Sequence, residues 1–442
     1  MMANRAEPSP QPASVWQRLG IWWNTPDVGI EISRWMTIAG LLVLVGVLFR
    51  QPALVLIGIG VALVALALRL WWDFSLVATS YTRRFSTTRA FHGDEVTVTL
   101  ETVNLKPLPV TRLEVAELVT ENVAIPNRTL DRTEVANRRL FRTLFSLGFY
   151  ERVDYRYAFR THRRGWYRFG PATLTATDPF GLVRRKRRFE EVNGILTYPR
   201  VVPVTQVIVP ARQPYGDFKP AQQLVEDPMR IAGVREYVPG DSPRRIHWRA
   251  TARTGELQTR VSEPSATPVA AIFLDTITFS HLWEGQHSDL LELAVVVASS
   301  LSAQLLEGRH QVGMYANAPI PELSRSVRIP PGRRPGQLTH ILERLAMIAP
   351  AFGDRIERMM TEEIPKLPWG ATLVVITCRV TPTMQRMLLR LARSTGNQRV
   401  VLVTIGEEPE LVPDLRRRVP VYHLGTKERW DEIERITLES IA

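Results

Sequence analysis

The sequence has almost no cysteine: Cys378 is the single thiol in 442 residues, which excludes an internal disulfide, a cysteine-rich zinc site and an iron–sulfur cluster. Acidic residues are the scarcer charge, 44 against 56 lysines and arginines, so the chain is basic by +12. There is no G-x-x-x-x-G-K-[ST] loop for nucleotide phosphates, no H-E-x-x-H and no G-x-S-x-G nucleophile elbow, and the eight histidines are scattered. Disorder is excluded as a whole-chain description, because 45% of residues are hydrophobic and only 23% charged. The length suits two or three folded units.

Long apolar runs are the clearest feature present. Between Trp35 and Trp72, two such runs are separated only by Arg50, Gln51 and Pro52, a spacing that predicts a helical hairpin at about 35–49 and 53–72. The first run is short for a hydrocarbon core of about 30 Å and must borrow flanking residues or thin the bilayer, whereas the second is long enough unaided. Trp35, Trp71 and Trp72 fall at one end as an interfacial belt, and Arg69 is placed to snorkel. A buried hairpin within a soluble fold suits this continuous apolarity less well. Two runs without a small-residue cleavage site also argue against a secretory signal. Arg18 and Arg34 before the hairpin and Arg69, Arg83, Arg84 and Arg89 after it, against Arg50 in the turn, place both termini in the cytoplasm. The Pro- and Ser-rich stretch within residues 1–34 reads as a flexible leader to this multi-pass membrane anchor.

Over residues 81–205 the pattern has period two. Val96, Val98 and Leu100 point one way and Thr97, Thr99 and Glu101 the other, with further strands in YRYAF, WYRF, ATLTAT and GILTYP. This predicts a small antiparallel β-sandwich. Residues 131–149 are less regular and read as a short helix or loop insertion. From residue 268 onward VAAIFLD, HQVGMYA, ATLVVIT and RVVLVTI alternate with helical patterns at Leu290–Leu306, Gln337–Ile348, Met384–Arg393 and the terminal KERWDEIERITLESI. The expectation is a doubly wound α/β domain, making the whole an α+β multidomain chain.

Between these regions, in residues 206–267, lies the most specific segment, GVREYVPGDSPRRIHWRATARTGELQTRVSE (Gly233 to Glu263). Pro239 and Gly240 suit a tight turn, and Asp241 is placed to cap a helix from Ser242 to about Arg253, ended by Gly255. Arg245, Arg249 and Arg253 then stack like charges on one helix face. Together with Arg235, Glu236 and Tyr237 they form either an interdomain lock, paired with Glu236, Glu256 or Glu263, or an exposed basic edge for an acidic partner. Trp248 reads as a core anchor. With RGWYRFGP, DPFGL and TYPR upstream in order, the segment resembles the signature of the DUF58 family.

The resemblance implies a von Willebrand A-like tail, in which a D-x-S-x-S loop often holds a metal. Here Ile277 and Phe279 replace hydroxyl ligands after Asp275, and Thr377, Cys378 and Arg379 stand where a later aspartate is expected, so no bound Mg²⁺ and no cofactor is expected. It also implies a partnership with a MoxR-type AAA+ ATPase. The function expected is therefore a non-enzymatic, membrane-anchored adaptor or scaffold in assembly or activation of a client complex, without a small-molecule substrate. The alternatives are a membrane-associated hydrolase or transferase built on Asp241, His247 and Arg235, and a structural cell-envelope protein. Finally, Arg184, Arg185, Lys186, Arg187 and Arg188 form a basic run suited to anionic lipid headgroups rather than nucleic acid, since it lacks aromatic interleaving.

Overall fold

The computed structural model describes residues 29–126, 128–181, 183–205, 226–238, 246–264, 268–279, 285–320, 325–349, 353–368, 370–393, 399–426 and 429–441. The chain divides into two compact units, one comprising residues up to Thr88 with Asp94–Arg160 and Tyr167–Ile195, the other Arg89–Gly93, Thr161–Trp166 and everything from Leu196.

The first unit begins with the helical hairpin. Its first helix, Gly29–Leu48, starts six residues before Trp35; twenty residues at 1.5 Å each give about 30 Å, the reach that the apolar run alone lacked. Arg50 turns the chain with φ 53°, and Pro52 opens the second helix, Pro52–Ser75, where its missing N–H costs nothing. The helices approach closely through small residues: a Cβ on Gly58 would lie 2.7 Å from Val43, and one on Gly46 2.8 Å from Val55. Apolar side chains face outward, Leu48 and Leu56 being 75% and 69% exposed. Pro52–Phe74 and Ser288–Glu307 are each long and apolar enough to cross a membrane, but the latter is a buried core helix.

Two sheets follow in the same unit. Thr79–Phe85, Glu95–Asn104 and Arg152–Arg160 form one, with the middle strand antiparallel to both neighbours. In the other, Val110–Thr120 lies between Arg138–Leu147 and Gly165–Thr177, and Arg184–Phe189 pairs with the last of these, all antiparallel. Residues 138–147 are thus a strand, and not the helix or loop expected there, because Phe141, Thr143 and Leu147 turn inward. WYRF and ATLTAT are one strand, continuous through a cis Gly170–Pro171 bond. Rings from both sheets meet between them, Phe159 lying 5.6 Å from Phe169 and Phe141 4.7 Å from Tyr157.

A buried charged pair sits in this apolar interior. Glu117 is fully buried, accepts hydrogen bonds from Tyr81 (3.1 Å) and Tyr157 (3.5 Å), and is ion-paired with Arg83. Arg83 also donates to the Phe169 carbonyl at 3.0 Å and to Asn193. Burial raises the Glu117 pKa against the opposing pull of Arg83.

In the second unit the strand Val269–Leu274 is an inner strand, third of seven in its sheet. Gln311–Ile320 pairs on one side of it and Thr372–Thr377 on the other, followed outward by Arg399–Gly406 and Val421–Gly425, all parallel. Arg325–Gly332 and Glu439–Ser440 close the edges antiparallel. Successive side chains of Val269–Leu274 alternate between layers: Ala270, Ile272 and Leu274 meet the helices Ser288–Glu307 and Gln337–Ala346, while Ala271 and Phe273 meet Ile356–Glu363 and Pro382–Arg393.

The C-terminal segment is not the expected helix. Ile436 and Leu438 are buried with Thr437 and Glu439 exposed between them, a period of two imposed by pairing of Ile436–Thr437 with Val204–Thr205. The preceding TYPR stretch is strapped to the same unit, Arg200 donating to the Trp430 carbonyl at 3.2 Å and the Ser299 hydroxyl to the Arg200 carbonyl at 2.7 Å.

Candidate functional site

Three places hold the residues singled out from the sequence. The first is the signature segment, whose strands Glu226–Glu236 and Gln258–Pro264 pair antiparallel, with Arg235 opposite Thr259. Between them stands a helix, Trp248–Thr254, shorter than expected. Its cap is His247, whose Nδ1 accepts from the Ala250 N–H at 3.0 Å, and its end is Gly255 in the left-handed region with φ 78°. Pro239, Gly240, Asp241 and Arg245 lie outside the described residues, as does the start of the helix read from Ser242.

Trp248 is not a core anchor. It is 67% exposed, and Val234, Val238 and Leu257 are exposed beside the paired backbone, where the Tyr237 N–H reaches the Leu257 carbonyl at 2.8 Å and the His247 N–H the Gln258 carbonyl at 2.7 Å. Arg249 and Arg253 are exposed on the same short helix, and Arg235 donates to the Glu236 carbonyl at 3.0 Å. A seven-residue helix is too short to bury a stripe, so its tryptophan stays outside.

The second place is the carboxyl end of the parallel sheet, where Val269–Leu274 connects toward one side and its neighbour Thr372–Thr377 toward the other, the crevice that open α/β sheets offer to ligands. Asp275 is buried there. Its Oδ1 accepts from Asn317 Nδ2 (2.8 Å) and the Ile277 N–H (3.2 Å), and its Oδ2 from the Thr377 hydroxyl (3.0 Å). Burial pushes its pKa up to about 6 despite these donors. Asn317 in turn accepts from the Thr276 N–H and hydroxyl, each at 2.8 Å. The carboxylate therefore ties three strand ends together.

A cavity of about 510 Å³ opens beside it, lined among others by Arg355, Arg379, Glu357 and Thr381. These donors do not fit a hard divalent cation: both carboxylate oxygens already accept hydrogen bonds, Ile277 and Phe279 offer no oxygen side chain, and two arginines line the space. Among the described residues no group of three His, Cys, Asp or Glu side chains converges on a point. Cys378, next along the chain, has its thiol pushed up to about 12 by burial, with Asp275 adding to the shift, which disfavours the nucleophilic thiolate at neutral pH.

The third place is the basic run, which forms the strand Arg184–Phe189. Its alternation splits the five cations. Arg185 donates to the carbonyls of Trp72 (2.8 Å) and Asp73, and Arg187 to those of Leu76 (3.3 Å) and Thr79 (3.2 Å). Arg184, Lys186 and Arg188 are exposed, Arg188 pairing with Glu190 at 2.8 Å.

Residues 233–415 match the family profile described as protein of unknown function DUF58. That stretch is a DUF58 region. The uncharacterized protein YeaD of Bacillus subtilis (strain 168) is 24% identical to this chain over 331 residues, 74% of its length and 76% of YeaD. Likeness to that relative therefore extends beyond the profile match. Among solved structures, a CARDB domain from Pyrococcus furiosus, in complex with di-metal ions, is 13% identical with a TM-score of 0.19, covering 27% of this chain and 90% of that one. The sporulation control protein Spo0M from Bacillus subtilis is 12% identical with a TM-score of 0.17, covering 27% of this chain and 49% of its own. Likenesses of that degree carry no argument.

Several organising residues had no distinct sequence signal. Asn317 lies 42 positions from the aspartate it holds, and Glu292, buried on the Ser288–Glu307 helix, pairs with Arg164. Arg164 also donates to the Leu345 and Ile348 carbonyls at 3.0 and 3.2 Å, so the arginine of RGWYRFGP serves the packing of the second unit.

Proposed function

We propose that this chain is a membrane-anchored interaction protein without catalytic activity of its own, in which the apolar hairpin tethers a β-sandwich and a von Willebrand A-like adaptor domain, with both termini in the cytoplasm. The observation that carries the interaction reading is the exposure of Trp248 at 67% beside exposed Arg249, Arg253, Leu257 and Val238. Tryptophan and arginine surrounded by aliphatic side chains are the composition of energetic centres in protein–protein interfaces. The outward-facing leucines of the hairpin support the membrane anchor, since in water they would have to be covered. His247, used as a helix cap, and Cys378, held as a neutral thiol, weaken the hydrolase or transferase alternative.

The partner we propose is the MoxR-type AAA+ ATPase that the family resemblance implies, acting with this chain on a client complex and bringing the nucleotide chemistry that the chain's sequence motifs do not provide. Crosslinked pull-down from native membranes tests this, comparing the wild type with Trp248→Ala/Arg249→Glu/Arg253→Glu. Recovery of an AAA+ ATPase by the wild type and its loss in the folded variant is the expected outcome. Recovery by both would remove the signature from the interface, and recovery by neither would refute the adaptor reading.

A further inference from the structure

The first unit carries a surface built around the end of the second hairpin helix. The last carbonyls of a helix lack intrahelical partners and attract cations. Arg185 supplies one at the Trp72 and Asp73 carbonyls and lies over the Trp72 ring at 5.1 Å, while Arg187 binds the carbonyls of Leu76, just past the helix end, and Thr79. The Trp72 indole N–H donates to the Arg184 carbonyl at 3.3 Å, which fixes the start of the strand at the depth of that tryptophan, within the last residues of the apolar span Pro52–Phe74. Because side chains alternate along a strand, using 185 and 187 for the helix turns Arg184, Lys186 and Arg188 the other way, into solvent.

The turn leading into the strand is built to the same end. The Asp178 carboxylate accepts from the Phe180 N–H at 3.0 Å and the Val183 N–H at 2.6 Å, and Gly181 takes φ 76°. Val183 is thereby buried against Trp72 and Leu68, while Phe180, two residues from its cap, is 80% exposed. A large apolar ring is thus displayed beside three cations, at the level of the interface. Glu190 offsets one of the cations by pairing with Arg188.

We infer that Phe180 and the strand Arg184–Phe189 form a lipid-contact element for anionic phospholipid, with Phe180 entering the interface and Arg184, Lys186 and Arg188 meeting headgroup phosphates. This rests on the membrane reading of the hairpin. Cations near an anionic surface each contribute about fivefold to binding, so the two that Glu190 leaves uncompensated shift the docking equilibrium by roughly twenty-five-fold.

The test uses the full chain, Cys378→Ser/Phe180→Cys carrying a nitrobenzoxadiazole label, reconstituted in phosphatidylcholine vesicles with or without phosphatidylglycerol. Resistance to alkaline carbonate extraction is scored first. A chain extracted from both vesicles would refute the hairpin anchor and the proposal with it. For an anchored chain, the label is expected to be shielded from the neutral quencher acrylamide at least several-fold better on the anionic vesicles. Arg184→Glu/Lys186→Glu/Arg188→Glu should abolish that difference while remaining anchored. Equal quenching on both lipids, or shielding that survives the charge reversal, would overturn the lipid-contact assignment alone.

Discussion

Replacing Asp275 by asparagine should remove a pH dependence from the second unit at little cost to its fold. The carboxylate is fully buried, and its pKa is raised from 3.8 to about 6 chiefly by burial. A raised folded-state pKa means that the unfolded chain releases its proton first as pH rises. The contribution of Asp275 to stability is therefore fully present below pH 3.8 and lost as pH rises through 6. A shift of about two units corresponds to roughly 3 kcal/mol. Asparagine keeps the shape, and its oxygen can accept from Asn317 and the Ile277 N–H as Oδ1 does. Its amide would face the Thr377 hydroxyl, which has the Arg379 carbonyl at 2.8 Å as another acceptor and can therefore turn to accept. The assay is native-state hydrogen exchange of the strands Val269–Leu274 and Thr372–Thr377 between pH 4 and pH 7, corrected for intrinsic rates. The opening free energy of the wild type should fall by about 2 kcal/mol more than that of Asp275→Asn across this window, since part of the effect already lies below pH 4. Equal slopes, or a variant destabilised by several kcal/mol at every pH, would refute the argument that Asp275 is a costly buried charge with replaceable partners.

Arg83→Met should strand Glu117 as an unpaired buried charge and cost about 3–5 kcal/mol, with part of the loss restored in Arg83→Met/Glu117→Gln; near-ultraviolet dichroism melts read both. Gly58→Val would drive a Cβ against Val43 and should lower hairpin stability in detergent by about 1–3 kcal/mol. Trp248→Ala alone should change the melting free energy by less than about 0.5 kcal/mol because the ring is exposed, a result that separates its proposed binding role from a packing one. Cys378, with its thiol pushed up to about 12, should resist maleimide at pH 7 in the native chain and label on denaturation.

Elements with strong local periodicity were readable from the chain. The apolar runs gave both hairpin helices, and VAAIFLD, ATLVVIT and RVVLVTI gave the central strands within a residue or two, because two-sided burial demands continuous apolarity. Where two periods compete, the reading failed. Trp430, Ile433 and Ile436 fit a helix, but Ile436 finds a strand partner 231 residues away in the Thr205 region, and backbone pairing prevailed. Strand Arg138–Leu147 was obscured by its many arginines, since only one of its faces is buried. The signature helix was read too long because a proline-and-aspartate start is a local cue, whereas the cap present, His247, depends on the paired strand beneath it.

By itself, then, the sequence determined composition, the apolar hairpin, the alternation of strands and helices in the tail and the DUF58 match over residues 233–415, all of which depend on residues close together along the chain. Which residues meet was decided only in three dimensions. Asn317 and Thr377 reach Asp275 from separate strands of one sheet, and five consecutive basic residues divide into helix caps and an exposed face according to which side of a strand they occupy. Hydrogen bonds of this kind carry no periodic signature, because their partners are set by the register of neighbouring strands rather than by spacing along the chain.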